Sequence, residues 1–291
     1  MGAGAVIAIS SHVARGSVGN RAMVFALERL GFMVWAVPTV VLPHHPGHGP
    51  AERIVLEDSA FTRLLEALVK DEGAGKVAGI VSGYLASAGQ ARAVAALVRT
   101  VKEQNPDALC LLDPVIGDHA GLYVAEPIAH AVRDHLLPLA DATTPNAFEC
   151  AWLAGHDRRN EPDYVALAES LPPETVLVTS APTTSPEQIG NLLVSDHGAI
   201  LFEHPLLRTP IKGTGDLLAG LLMARRLEAN PWPRAAHLAL SSVFEVLSGS
   251  AEAGADELML PELQAGLVAP RALIGARSVG PAGGTADLKS T

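Results

Sequence analysis

Four consecutive residues, Gly213, Thr214, Gly215 and Asp216, lead straight into the apolar stretch 217–222. A turn with two glycines lets backbone approach a ligand closely, and the first N–H groups of a helix have no partner inside it. Together with the helix dipole, these donors form an anion site suited to a phosphoryl group in transfer. Asp216, in the first turn, is placed to accept a proton from a substrate hydroxyl and make that oxygen a better nucleophile. The same residues also make an ordinary turn and helix cap, so the segment alone leaves both readings open. Lys212 beside it fits either a phosphate contact or a solvated charge. The chain has no G-x-x-x-x-G-K-[ST] loop, which excludes a P-loop enzyme, and no G-x-G-x-x-G after its first strand.

An anion site of this kind needs a frame that holds a helix N-terminus open. Short apolar runs predict strands at 5–10, 33–37, 77–82, 109–112, 142–145 and 175–179. Amphipathic or capped stretches between them predict helices at 20–30, 60–70, 88–103, 128–139, 147–154 and 163–171, with two closing helices at 216–227 and 234–247. Runs 191–195 and 199–203 flank Asp196-His197-Gly198 and read as a hairpin. The expected fold is therefore α/β: three α/β/α layers, with a mostly parallel central sheet and an antiparallel edge hairpin. One domain is expected over residues 1–265, followed by a C-terminal tail, 266–291, disordered after about residue 278. Ligands of such sheets bind outside the carboxyl ends of the strands. Ser10-Ser11, Gly83-Tyr84, Asp113, Asn146 and Thr179-Ser180 all fall at or just past predicted strand ends.

Composition narrows the function. Of 291 residues, 48% are hydrophobic and 18% charged, which supports a sizeable core and argues against disorder. A net charge of −10 argues against nucleic acid as a partner. No apolar run reaches the roughly 18 residues of a membrane span, and the N-terminus has no basic region before its apolar stretch. Cys110 and Cys150, 40 residues apart, read as buried thiols of a reducing compartment. A soluble, cytoplasmic protein is expected.

Several segments occur in an order that resembles the pyridoxal kinases of the ribokinase-like superfamily. They are Ser11-His-Val-Ala-Arg-Gly-Ser-Val-Gly-Asn20, Ser82-Gly-Tyr84, Asp113-Pro-Val-Ile-Gly-Asp118, Thr144-Pro-Asn146 with Glu149, Val178-Thr-Ser180 and Gly213-Thr-Gly-Asp216. They span roughly residues 5–250; the last is common to the superfamily, whereas the first two point to vitamin B6. The resemblance implies phosphorylation of the 5′-hydroxymethyl group of pyridoxal, and of pyridoxine and pyridoxamine, by ATP with Mg²⁺. It implies Asp216 as base and the amides of Gly213, Thr214 and Gly215 as the phosphoryl cradle. Ser11, Val18, His45 and Tyr84 would meet the B6 vitamer. Asp113, Thr144, Asn146, Glu149, Thr179 and Ser180 would meet the nucleotide, with Asp113, Asp118 and Glu149 near the metal. A monovalent cation such as K⁺, a homodimer and a short nucleotide-covering loop between Asp118 and Tyr123 are further family expectations.

Each residue also has a plain structural reading. Asp113 before Pro114 can end a strand, and Asn146 with Glu149 fits a capping box. One segment departs from the family. Where pyridoxal kinases carry a loop resembling Phe-Ser-Asn-His-Thr, this chain reads Leu42-Pro-His-His-Pro-Gly-His-Gly49, so Pro46 stands where the threonine is expected. Pro46 has neither a hydroxyl nor a backbone N–H, which puts vitamer preference in question. His44, His45 and His48 suggest a lid loop more than a zinc site, because no fourth ligand is in view. Two alternatives remain: a hydroxymethylpyrimidine or other small-molecule kinase of the same superfamily, and a pyridoxal phosphate-binding protein without catalysis.

Overall fold

The first strand is apolar on both faces because helices cover both sides of the sheet. The computed structural model describes residues 4–70, 73–157 and 160–280. In chain order the elements begin β1 (Ala5–Val13), α1 (Asn20–Arg29), β2 (Val34–Leu42), β3 (Ile54–Val55), α2 (Asp58–Leu68), β4 (Val77–Ser82) and α3 (Ala88–Gln104). They continue with β5 (Leu109–Leu112), a small hairpin of β6 (Gly117–Asp118) and β7 (Gly121–Leu122), α4 (Glu126–Ala131), β8 (Ala142–Thr143), α5 (Ala147–Leu153) and α6 (Tyr164–Glu169). The last third holds β9 (Thr175–Ala181), β10 (Gln188–Ser195), β11 (Gly198–Pro205), α7 (Thr214–Leu227), α8 (Trp232–Glu252), α9 (Leu260–Val268) and β12 (Gly275–Val279).

The main sheet has ten strands in the order β12-β11-β10-β9-β8-β5-β4-β1-β2-β3. Strands β2, β1, β4, β5, β8 and β9 run parallel, and antiparallel pairs close both edges. Helices α1, α7, α8 and α9 pack on one face, and α2, α3 and α4 on the other. The chain leaves β1 for β2 on one side and returns through β4 on the other. That reversal opens a crevice at the carboxyl ends of β1 and β4, where a ligand fits. The three-layer, mostly parallel architecture agrees with the sequence reading.

Three details differ from it. The hairpin β10–β11 is not the edge, because β12 pairs with β11 from Ala199–Val279 to Glu203–Gly275. The expected tail from residue 266 is thus corrected: α9, the buried Ile274 and β12 all belong to the domain, and Arg277 pairs with Glu203 at 2.8 Å. The sequence carries little apolar signal there, since an edge strand is held mainly by backbone hydrogen bonds. The part of the tail expected to be disordered lies, from 281 onward, outside the described residues. The single helix expected over 128–139 is broken into α4, a wide turn Val132–Leu136 and a tight turn Leu137–Leu139. Pro138 explains the break, because its ring and missing N–H do not fit a regular helix interior. A two-residue strand, β3, also pairs antiparallel with β2.

Candidate active site

Strand ends and helix starts supply the site. Asp113 directly follows β5 and is 7% exposed, with its Oδ1 accepting the Thr144 hydroxyl at 3.0 Å. Asn146 caps α5: its Oδ1 accepts the Glu149 N–H at 2.9 Å, while Glu149 Oε2 accepts the Asn146 N–H at 2.9 Å. The plain capping-box reading is therefore correct, but Glu149 does more. Its other oxygen accepts Ile116 N–H at 2.8 Å and Gly117 N–H at 3.3 Å, so one buried carboxylate holds the β5–β6 loop against α5. Asn146 Nδ2 adds a bond to Gly117 O at 2.8 Å.

Opposite this acidic floor stands the glycine turn. Gly213 has φ +95, and a Cβ there would lie 2.2 Å from Ser17 O, so only glycine fits. Asp216 follows in the first turn of α7, where the Gly19 backbone N–H and the Ser10 hydroxyl both hydrogen-bond its carboxylate. A Cβ on Gly215 would sit 3.8 Å from Asp113 Oδ2, which measures how closely the turn faces the acid. Asp113, Thr144, Asn146, Glu149, Thr179, Gly213, Gly215 and Asp216 line one cavity of about 160 Å³, with Val115, Tyr123 and Leu218. That volume suits a phosphate and an ion; a nucleoside must lie outside it.

The electrostatics follow from crowding of carboxylates. Asp113 is held well above the usual carboxylate range, first by burial and then by the charges of Glu149 and Asp216. Glu149 is pushed up to about 7 by burial, against three backbone N–H donors that favour its charge. Asp216 lines the cleft and keeps some accessible surface, yet the enclosing walls still raise its pKa. Tyr123 is 54% exposed, but its phenol is raised by burial and by Glu149, Asp113, Asp216 and Asp118. A cation in this cavity would relieve all of these costs at once.

Apolar and basic groups form the other end. Val18 packs with Val13, Val40 and Leu42, and Tyr84 lies against the same cluster. The Tyr84 hydroxyl accepts from Arg53, whose guanidinium sits 5.7 Å from the ring centroid. Ser11 abuts Gly19, where a Cβ would come within 2.5 Å of its Oγ. His45 Nδ1 accepts Gly47 N–H at 2.9 Å, so the neutral ring carries its proton on Nε2. Burial lowers the His45 pKa, as do Lys212, His48 and His44. His48 reaches across to Glu257 at 3.5 Å.

Not every predicted residue reaches the phosphate-sized cavity. Asp118 sits exposed on the β6–β7 hairpin, with its Oδ1 accepting Ala120 N–H at 2.9 Å. Among the described residues, no three His, Cys, Asp or Glu side chains form a metal cage. Of the expected trio, Asp113 and Glu149 line the cavity; Asp118 does not, although its charge still raises Glu149 and Tyr123. The rings of His44 and His48 meet edge to face with centroids 6.4 Å apart. Thr214 and Ser180 border the cleft without lining it, and Ser180 has a left-handed φ of 54. Val115, with φ 44, is a more unusual case for a β-branched residue. Both strained residues lie at strand exits beside the cleft, where strain concentrates at functional sites. Sequence reading gave Val115 and Tyr123 no role in lining the site and placed Ser10 at a strand end without its neighbour Asp216, a contact between residues distant in sequence.

Comparison with known proteins decides the family. A family model described as phosphomethylpyrimidine kinase matches residues 16–260. The pyridoxal kinase of Rubrobacter xylanophilus is 36% identical over 272 residues, 91% of this chain and 94% of that protein. The chain belongs to the pyridoxal kinases of the ribokinase-like superfamily. A pyridoxine/pyridoxal/pyridoxamine kinase of Bordetella pertussis is 38% identical over 269 residues, covering 88% of this kinase and 92% of that one. Among solved structures, a Leishmania donovani pyridoxal kinase in complex with ADP and pyridoxine superposes with a TM-score of 0.86 at 28% identity. It covers 93% of this chain and 97% of its own. Consistent with the composition, Cys110 and Cys150 are buried free thiols, each pushed up to about 12 by burial. Among the described residues no helix is long and apolar enough to cross a membrane.

Proposed function

We propose that this kinase transfers the γ-phosphoryl group of ATP to the 5′-hydroxymethyl group of pyridoxal, and also acts on pyridoxine and pyridoxamine. The observation that carries this reading is the seat of Asp216. It stands at the N-terminus of α7, between the apolar end near Val18 and Tyr84 and the acid-lined cavity. A carboxylate with a raised pKa at that seam is a competent base for a hydroxyl arriving from one side. The N–H groups of Gly213, Thr214 and Gly215, with the α7 dipole, then face the phosphoryl group arriving from the other. Thr144, Asn146, Thr179 and Ser180 would meet the nucleotide, and Ser11, Val18, His45 and Tyr84 the vitamer.

The crowded acids fit Mg²⁺, which takes oxygen ligands and keeps several waters. Asp113 and Glu149 would hold it, mostly through water, since three backbone N–H groups already occupy Glu149. When bound, the ion would neutralise phosphate charge. A monovalent cation such as K⁺, a homodimer and a cytoplasmic setting complete the reading; ion replacement in the assay and light scattering test the first two.

ADP release measured with the three vitamers, with hydroxymethylpyrimidine and with sugars tests the assignment. The description of the matching family model makes the pyrimidine the second candidate. Faster turnover of the pyrimidine than of every vitamer would replace the proposal with that one. Vitamer binding without ADP release would leave a pyridoxal phosphate-binding protein.

A further inference from the structure

Beneath the base lies a serine to which none of the motifs gives a role. Ser10 is fully buried near the carboxyl end of β1. Its carbonyl accepts Asn20 Nδ2 at 3.2 Å, and the same amide reaches Val37 O at 3.0 Å, so its backbone is tied to α1 and β2. The next carbonyl back, Ile9 O, accepts Gly83 N–H at 2.7 Å, which fixes it to the end of β4. The Ser10 side chain has little freedom in this frame.

Its hydroxyl has one proton to give. The oxygen accepts the Tyr84 backbone N–H at 3.3 Å, and Asp216 Oδ1 lies 3.5 Å away on the acceptor side. That distance is long for O–H···O, but such bonds tighten when a charged carboxylate and a bound substrate draw the groups together. Gly83 makes room for the arrangement. A Cβ there would lie 2.7 Å from Ser10 Oγ and 3.2 Å from Ser10 Cβ. Gly83 does not adopt a left-handed φ, so what it supplies is space.

We propose that Ser10 is a positioning residue. With the Gly19 N–H it orients the Asp216 carboxylate toward the substrate hydroxyl, holding Oδ1, and ties the base to the backbone of Tyr84. Gly83 admits the serine hydroxyl to that position. The inference rests on Asp216 being the base.

Steady-state kinetics with pyridoxal and ATP test it, using Ser10→Ala, Ser10→Thr, Gly83→Ala, the Ser10→Ala/Gly83→Ala double variant and Asp216→Asn. Ser10→Ala is expected to lower kcat roughly tenfold, as loss of a hydrogen bond to a charged group does, with KM for ATP unchanged. Ser10→Thr keeps the hydroxyl and is expected to stay within about threefold of the parent. Gly83→Ala should lower kcat much as Ser10→Ala does. In the double variant the added methyl has no hydroxyl to displace, so the two losses should not multiply. A serine that only fills the core gives a different pattern: normal kcat in Ser10→Ala with a lower melting temperature, or multiplying losses in the double variant. Either result overturns the proposal, as does a Ser10→Thr variant that folds but is as slow as Ser10→Ala. If Asp216→Asn keeps its turnover, the base assignment itself fails and this inference with it. An inactive Asp216→Asn beside a fully active Ser10→Ala rejects Ser10 alone.

Discussion

The two ends of the cleft have opposite charge, yet burial acts on them in the same way. At the acidic end, Asp113, Glu149 and Asp216 are all raised, by burial first. At the basic end, His45 is lowered by burial and then by Lys212, His48 and His44. Each end disfavours its own charged form. They differ in how they are held. Glu149 sits at a helix cap pinned by backbone N–H donors, and Asp113, just past a strand end, accepts the Thr144 hydroxyl, whereas His45 rides on the loop 43–50 and is held by its own turn. A rigid acidic end that resists its charge would be relieved by a cation. Burial and the neighbouring positive charges favour the neutral His45 ring, so the loop-borne end tolerates change better.

Substitutions at the seam and at each end can break or sharpen this contrast. The largest loss is expected at the seam, where Asp216→Asn should lower kcat by about 10² to 10⁴-fold while ATP binding, followed by calorimetry, is retained. Near-normal turnover would remove the base from the reading. Next comes Gly213→Ala, which forces a side chain onto φ +95 and against Ser17 O. About 1–3 kcal/mol of stability should be lost in denaturant, with kcat falling more than vitamer KM rises. A variant as stable as the parent would show that the turn is not pinned.

Asp113→Asn probes the acidic end, and its sign follows from linkage. A carboxyl raised in the folded state binds its proton more tightly there than in the unfolded chain. Stability is then greatest at low pH and falls as pH rises toward the folded value; for Glu149 the window runs from 4.5 to about 7. Metal-free parent protein should therefore lose stability between pH 5 and 8 more steeply than Asp113→Asn. Added Mg²⁺ should raise the melting temperature of the parent at pH 8 and do less for the variant. A parent that becomes more stable across that range in the absence of metal would contradict the crowding argument. The smallest effect is expected at the basic end. Lys212→Met should move the His45 titration, followed by NMR, upward toward the usual histidine range, with vitamer KM changing by no more than about threefold. An unmoved His45 would place the lysine charge away from the ring.

Local patterns are legible in the residues themselves. The Gly213 turn, the Asn146–Glu149 cap and the strand-end positions of Asp113 and Thr179 each depend on neighbours within a few residues, and spacing alone reveals them. The acids are harder to sort. Asp118 and Glu149 look alike in sequence, yet a hairpin turn draws one outward while three amides draw the other inward. The strand-end place of Ser10 is legible but its partner is not, because Asp216 lies 206 residues away. Strand β12 is hidden for a related reason: its polar sequence gains order only from the free edge of β11.

By itself the sequence determined the layers, the family and the anion turn, since hydrophobic period, glycine placement and capping act over short range. Only the tertiary structure decided which carboxylates crowd one cavity and which hydroxyl lies beside Asp216. Those facts arise where β1, β4 and α7 meet, from distances and burial that no spacing along the chain encodes.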